Sequence, residues 1–312
     1  MSLNDRKRGC FMGLAIGDAL GAIVEYKRPG TFEKVSGFRT GGSHGLVLGE
    51  WTDETSMALA LADSISSKGW DLKDQADRYL AWWRDGAYCV RQESRDINHV
   101  MAMTLDVFER TGDFAAMNQC VAHSTNNGSL SRLAPIVVAF HGDEIWVDRL
   151  SEKAADSSRL THPHHECVSA CRYLVIVLAG LVNGIDRDVV LSADWEPVSR
   201  LREIQTLHKN VELVIQGSFR VLQPPEIQAS GYSAKCLEAA LWSFHQASSF
   251  EEAVLAAVNL GYDADNAGAV CGQLAGAFFG ERSIPAHWMM ELARKDLLDQ
   301  SVEKLLSVQR ED

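Results

Sequence analysis

Residues 9–26 read GCFMGLAIGDALGAIVEY, and residues 260–280 read LGYDADNAGAVCGQLAGAFFG. In both stretches glycine recurs at every fourth position, at Gly9, Gly13, Gly17 and Gly21 and again at Gly268, Gly272, Gly276 and Gly280. Residues four apart share one face of a helix. A glycine inside a helix costs roughly 1 kcal/mol relative to alanine. The two stripes therefore predict helices whose glycine faces let another backbone approach closely.

Helical patterning extends through most of the chain. Apolar spacing and composition predict that the two glycine-striped helices cover residues 8–26 and 266–279. They predict further helices at residues 56–66, 72–84, 97–110, 166–183, 198–219, 235–247 and 250–260. Ser249 and Glu252 form a capping box before the last of these, and Gly261 indicates its end. Strand-like alternation is confined to residues 46–48 and 144–147. We expect an all-α fold that forms one compact domain over residues 1–312.

Composition narrows the class of protein. The 312 residues carry a net charge of −12, which disfavours nonspecific binding to nucleic acid or to an anionic membrane surface. The uncharged runs are too short for a membrane span. The seven cysteines are odd in number and form no CxxC pair, as in a cytoplasmic protein with reduced thiols. Asp18 interrupts the apolar stretch near the N-terminus, so we interpret that stretch as a helix and not as a targeting signal.

An acidic pair marks the first glycine-striped stretch. Asp18 and Glu25 are two helical turns apart, which predicts that they share one face of the first helix. Asp18 lies among apolar residues, so its carboxylate must be paired, hydrogen-bonded or bound to a metal. A structural role, in which Asp18 pairs with an arginine or caps a neighbouring helix, is equally consistent with the pattern.

Two acidic segments each precede a predicted helix. Thr52-Asp53-Glu54 stands before the helix at residues 56–66, and Asp263-Ala264-Asp265-Asn266 stands before the second glycine-striped helix. Each could simply cap its helix. Taken together with Asp18 and Glu25, they form a set of hard oxygen ligands, which Mg²⁺ and Mn²⁺ prefer. A rival zinc site at residues 161–167, THPHHEC, with Cys171, fits no standard zinc spacing.

The chain resembles the ADP-ribosylglycohydrolase family, nearest to its dinitrogenase-reductase-activating type. Four segments carry the resemblance, namely residues 9–26, GEWTDETSMALALADSI at 49–65, NNGSLSRLAP at 126–135, and residues 260–280. SRLTHP at 158–163 and SGYSAKCLEAALWSF at 230–244 support it. The resemblance implies a compact orthogonal bundle of helices. It also implies a centre of two divalent cations, Mg²⁺ or Mn²⁺, that removes ADP-ribose from a modified side chain.

The resemblance also assigns roles to particular residues. Glu25, Asp53 and Asp263 would be catalytic. The metal ligands would be Thr52, Asp53, Glu54, Asp263, Asp265 and Asn266. The substrate-binding residues would be Asp18, Asp96, Asn127, Gly128, Ser129, Arg132, His162, Gly231 and Tyr232. The family more often has Asp at position 54 and Thr at position 266.

The resemblance favours the N-glycosidic bond to arginine as the bond that is cleaved. Arg95-Asp96-Ile97 resembles a stretch of the arginine-directed relatives, although Asn98 stands where they have glycine. An aspartate at the pocket mouth would pair with a guanidinium in bidentate geometry. A plain surface location of Arg95 and Asp96 remains an alternative.

The expected substrate is an ADP-ribosylated protein or a small molecule that contains ADP-ribose. Three other functions stay open: hydrolysis of another ADP-ribosyl conjugate, such as a serine-linked, ester or nucleobase conjugate; a non-catalytic or structural role; and a zinc protein.

Overall fold

The computed structural model describes residues 1–94, 97–140 and 147–308. Over these ranges the chain forms α-helices joined by turns and loops, and it contains no β-strand. Two isolated bridges, Gly41–Leu46 and Asn126–Tyr232, are the extended pairings recorded there. The expectation of an all-α fold is confirmed.

The described helices are numbered in chain order. They are α1 (Leu3–Gly21), α2 (Asp53–Lys68), α3 (Leu72–Asp85), α4 (His99–Thr111), α5 (Phe114–Cys120), α6 (Ala134–Phe140), α7 (Val147–Arg159), α8 (His165–Val182), α9 (Arg187–Val190), α10 (Glu196–Ile204), α11 (Lys209–Ile215), α12 (Ser218–Val221), α13 (Ser233–His245), α14 (Phe250–Val258), α15 (Ala264–Phe279), α16 (Ala286–Glu291) and α17 (Lys295–Leu306). A 3₁₀ turn, Glu281–Ser283, follows α15.

The two glycine-striped helices pack directly against each other. A Cβ atom at Gly17 would lie 1.9 Å from the carbonyl oxygen of Gly268, and one at Gly272 would lie 1.9 Å from that of Gly13. At the ends of the contact Gly9 meets Gly276, whereas Gly21 meets Ala264. The helices are therefore antiparallel, with α1 ending beside the start of α15. The predicted close approach of backbones is confirmed, and it joins the acidic parts of both helices.

Helix α8 crosses the interior of the molecule. It is long and apolar enough to span a membrane by length and composition, but 94% of its 18 residues are buried inside the fold. A helix that is apolar on all sides is typical of a protein core. One continuous hydrophobic core surrounds it and includes buried residues from Cys10 in α1 to Leu305 in α17.

The boundaries of several elements differ from those expected. Helix α1 ends at Gly21, so Glu25 lies in the following turn and does not share a helix face with Asp18. The helix expected over residues 198–219 is divided into α10, α11 and α12. His208 is the N-cap residue of α11, and Gly217 adopts a φ of +95°, which favours glycine, just before α12. Helices α5, α6, α7, α9, α16 and α17 were not predicted.

The capping box before α14 is confirmed, with one change. The Ser249 hydroxyl accepts a hydrogen bond from the Glu252 amide at 3.1 Å. The Glu252 carboxylate accepts from the amide of Ser248, at 2.8 Å. Gly261, with a φ of +67°, follows the end of the helix as expected. Of the two strand-like pieces, only Leu46 forms a bridge, and residues 144–146 lie outside the described part of the chain.

Candidate active site

Asp18 joins α1 to the start of α2. Its side chain is fully buried and accepts hydrogen bonds from the Thr52 amide at 3.1 Å and from the Thr55 amide at 3.0 Å. The hydroxyls of Thr52 and Thr55 each donate to it at 2.5 Å. Burial raises the pKa of Asp18 to about 6, although these hydrogen bonds act in the opposite direction. Asp18, which belongs to α1, therefore caps the N-terminus of α2. Capping a neighbouring helix was one of the two structural roles that the sequence allowed for it.

The acidic segments do not cap their own helices. Thr52 is the N-cap residue of α2 and Asp263 is that of α15, yet neither side chain accepts a capping hydrogen bond. Asp265 accepts from the amide of the next residue, Asn266, at 2.8 Å. Because simple capping does not account for these carboxylates, their position needs another explanation.

Backbone pairing brings Glu25 beside the start of α15. The Tyr26 amide donates to the Tyr262 carbonyl at 2.6 Å, and the Tyr262 amide donates to the Lys27 carbonyl at 2.8 Å. Both tyrosines adopt a positive φ, of +62° and +52°, which is uncommon for residues other than glycine. These paired turns place Glu25, immediately before Tyr26, opposite Asp263, immediately after Tyr262.

Glu25, Asp263 and Asp265 form the acidic cluster of the site. One carboxylate oxygen from each lies within 4.8 Å of those of the other two, and Glu25 and Asp265 are buried. Burial, together with the charge of Glu25, raises the pKa of Asp263 to about 6. Burial, followed by the charges of Glu54 and Glu25, raises the pKa of Asp265 well above its usual value. Three carboxylates this close repel one another, and a divalent cation would remove that repulsion.

A buried oxygen beside the cluster supports the same interpretation. The residue Asn266 is only 8% exposed, and its side-chain amide oxygen is buried and makes no hydrogen bond. The amide nitrogen of Asn266 donates to one oxygen of Glu54 at 2.8 Å. The Thr52 hydroxyl lies 2.9 Å from the other oxygen of Glu54. The two positions that depart from the family pattern, 54 and 266, are therefore in direct contact.

Asp53 faces a cleft next to the acidic cluster. The walls of this cleft include His44, Trp51, Thr52, Asp53, Trp82 and Arg91. Asp53 is partly exposed, whereas Glu54 on the other side of the helix start is buried. The walls therefore combine apolar rings with the charged groups of Asp53 and Arg91.

Two loops meet at the opposite side of the cluster. The Asn127 amide donates to the Gly231 carbonyl at 3.1 Å, and the Ser233 amide donates to the Thr125 carbonyl at 2.8 Å. The side-chain amide of Asn127 donates to Asp263 and, at 3.2 Å, to the Ser230 carbonyl. Asn127 therefore connects this loop pair to the acidic cluster. Tyr232 is 62% exposed and is available to a ligand.

The remaining substrate-binding candidates lie beneath the loop. Ser129, Arg132 and His162 are completely buried. His162 lies 2.9 Å from the side-chain oxygen of Asn126 and packs under Gly128. Burial and the charge of Arg132 lower the pKa of His162 to about 3, so its ring is neutral. In this structure these side chains support the loop from below. Asp96 lies outside the described residues.

The rival zinc segment has other contacts. His164 caps α8 by accepting from the Glu166 amide at 3.1 Å, and His165 contacts the Thr206 carbonyl at 2.8 Å. Among residues 1–94, 97–140 and 147–308, the group of three potential ligands found is the Glu25 cluster. His164 is therefore the N-cap residue of α8, whereas His162 contacts Asn126.

Sequence reasoning did not identify His44 as a site residue. Its ring contacts Glu25 with Nε2 2.5 Å from a carboxylate oxygen. His44 stands alone in a glycine-rich loop, GGSHG at residues 41–45, and no spacing pattern connects it with Glu25.

Comparisons with known proteins agree with this architecture. The sequence profile of the ADP-ribosylglycohydrolase family matches residues 1–312. The ADP-ribosylarginine hydrolase Tri1 of Pseudomonas putida is 33% identical over 293 residues, which covers 93% of this chain and 74% of that protein. The ADP-ribosyl-[dinitrogen reductase] glycohydrolase of Rhodospirillum rubrum is 30% identical, over an alignment that covers 94% of this chain and 92% of that protein. A solved structure described as an ADP-ribosylglycohydrolase-related protein complex superimposes with a TM-score of 0.85 at 37% identity, covering 98% of this chain and 99% of that one.

Proposed function

The chain belongs to the ADP-ribosylglycohydrolase family and is a glycosidic-bond hydrolase, and from that premise we propose that it removes ADP-ribose from modified arginine side chains with the help of divalent cations. The observation that carries the metal dependence is the buried cluster of Glu25, Asp263 and Asp265 beside the unsatisfied amide oxygen of Asn266. Such a set of oxygen donors fits Mg²⁺ or Mn²⁺. The arginine linkage is supported by two relatives that are named ADP-ribosylarginine hydrolase, those of Pseudomonas putida and Serratia proteamaculans.

The ligand set divides between two helix starts. Glu25, Asp263 and Asp265, with the Asn266 oxygen, would hold one cation. Asp53, together with Thr52 and Glu54, would bind a second cation. When bound, the cations supply Lewis-acid stabilisation of charge on the ribose hydroxyls and lower the pKa of water.

The protein side chains have separate tasks in the reaction. Cleavage at the ribose C1″ passes through an oxocarbenium-like state, which needs an oriented sugar and a water that loses a proton. Glu25, which is buried at the edge of the cluster, or one of the ligand carboxylates would accept that proton. Asn127, Gly231 and Tyr232 would bind the nucleotide. Ser129, Arg132 and His162 would hold the loop in position.

The test compares ADP-ribose release from arginine-linked and serine-linked peptides, with Mn²⁺ and with EDTA. We expect metal-dependent release that is faster from the arginine-linked peptide. Asp265→Asn should abolish release while a helical circular dichroism spectrum is retained, because the substitution removes an anionic ligand from the cluster. Faster release from the serine-linked peptide would refute the arginine assignment. Full turnover of Asp265→Asn in EDTA would refute the metal dependence.

A broader substrate panel separates this proposal from its alternatives. Turnover only of a small ester or nucleobase conjugate would indicate a different substrate on the same scaffold. Binding of ADP-ribose without turnover of any conjugate would indicate a non-catalytic role.

A further inference from the structure

His44 holds one side of the Glu25 carboxylate. Its Nε2 atom lies 2.5 Å from Oε2 of Glu25, and the two side chains are 12% and 4% exposed. We infer that His44 is a positioning residue that orients Glu25 for metal binding and catalysis, an inference that rests on the proposed function.

The electrostatics of the cluster explain why Glu25 needs such support. Glu25 lies with Asp263 and Asp265 in a group whose oxygens are within 4.8 Å of one another. Like charges at this distance repel, so a flexible glutamate would turn away from the two aspartates. The backbone bonds between Tyr26 and Tyr262 fix the turn but leave the side-chain torsions of Glu25 free. The hydrogen bond from His44 restrains those torsions.

The loop that carries His44 is built to hold this position. Gly41 and Leu46 form a two-bond bridge, at 2.8 and 2.7 Å, which closes the loop around His44. Gly42 packs against the end of α1, where a Cβ atom would lie 2.9 Å from the carbonyl oxygen of Ala22. Arg91 donates to the Gly45 carbonyl at 2.9 Å. The loop is therefore tied to the same turn that presents Glu25.

The side-chain geometry distinguishes two conservative substitutions. The contact is made through Nε2, the atom of the ring farthest from the backbone. A glutamine amide nitrogen reaches about as far as Nε2, whereas an asparagine amide nitrogen corresponds to Nδ1. His44→Gln should therefore retain the hydrogen bond, and His44→Asn should lose it.

The experiment measures Mn²⁺ affinity by isothermal titration calorimetry, and kcat and KM for an ADP-ribosylarginine peptide. Loss of a hydrogen-bond partner behind a metal ligand costs roughly 10–100-fold in metal affinity or activity. We expect a loss of Mn²⁺ affinity in this range for His44→Ala and His44→Asn, with a lower kcat and little change in KM. His44→Gln should remain near the unsubstituted protein. His287→Ala, at an exposed histidine on α16, is the matched control and should change neither quantity.

The outcomes separate this inference from the proposed function. Equal Mn²⁺ affinity in the unsubstituted protein and His44→Ala, or equal losses in His44→Gln and His44→Ala, would overturn the role of His44. Tight Mn²⁺ binding without turnover of the peptide by the unsubstituted protein would overturn the proposed substrate, while the affinity series would still test His44. Melting temperatures of the three His44 variants and of His287→Ala test whether each is folded.

Discussion

Substitution of Gly17 by alanine tests the contact between α1 and α15. The new Cβ atom would lie 1.9 Å from the Gly268 carbonyl oxygen and 2.9 Å from the Ala269 nitrogen, and both are backbone atoms. The helices would have to separate by about 1 Å before the closest contact reached 3.0 Å, because neither atom can rotate away. Overpacking of this kind typically costs about 1–3 kcal/mol.

A gain in helix propensity opposes part of this cost. Alanine is favoured over glycine by about 1 kcal/mol inside a helix. Since the clash is with backbone, we take the upper part of the overpacking range and expect a net loss of about 2 kcal/mol in the free energy of unfolding. For a chain of this size that corresponds to a fall of roughly 3 °C in melting temperature.

The same separation should reach the active site. The ends of α1 and α15 carry Asp18, Asp263 and Asp265, and a misplacement of about 1 Å can cost 10²-fold in rate. The assay combines thermal unfolding with turnover of an ADP-ribosylarginine peptide. Gly37→Ala is the matched control, since its nearest neighbour, the Trp288 indole nitrogen, would be at 3.5 Å and its φ is not positive. A melting temperature for Gly17→Ala equal to or above that of Gly37→Ala would refute the packing argument.

Two further predictions concern the buried polar residues of the site. The pKa values of Asp18 and Asp263 are raised from 3.8 to about 6 in the folded protein, so protonation of these two carboxyl groups favours folding. This stabilisation of the folded state is fully present below about pH 3.8 and is lost as the pH rises through about 6. Thermal unfolding in EDTA should show this loss of stability, and the loss should be smaller in Asp263→Asn. Mn²⁺ should raise the melting temperature more at pH 7 than at pH 5. An equal effect of Mn²⁺ at both pH values would contradict this prediction. Glu54 and Asn266 contact each other at 2.8 Å, so we expect their contributions to Mn²⁺ binding to be coupled. Glu54→Asp and Asn266→Thr should together weaken Mn²⁺ binding by less than the sum of their separate effects. Strict additivity of the binding free energies in calorimetry would contradict the coupling.

The positions of helices could be predicted where the periodic pattern is strong. Short helices could be predicted less well. The glycine stripes of α1 and α15 and the capping box of α14 have local signatures and were identified. Helices α5 and α6 have only seven residues each, which is too short for a clear periodic signal. The predicted continuation of the first helix to residue 26 was wrong because the chain turns after Gly21 and pairs at Tyr26 with Tyr262. That pairing depends on a residue more than 230 positions away.

The site residues were recognised by type and motif, but their tasks depend on distant contacts. Asp18 was expected to line the substrate pocket, and in the structure its carboxylate receives four donors from Thr52 and Thr55. The choice between these contacts is not encoded in the local pattern, because a buried acid among apolar residues needs some partner without specifying which one. His44 illustrates the opposite case, since nothing near it in the chain indicates a partner.

The sequence by itself determined the class of fold and the chemical character of the site, because helix periodicity, glycine stripes and hard oxygen ligands are properties of neighbouring residues. Only the tertiary structure decided which carboxylates meet. The antiparallel contact of α1 and α15 places residues 25 and 263 side by side, although they are far apart in the chain. The pairing of Glu54 with Asn266 and of His44 with Glu25 follows from the same packing. Burial at that junction then raises the pKa values of Asp263 and Asp265, because only the folded chain removes these carboxylates from water.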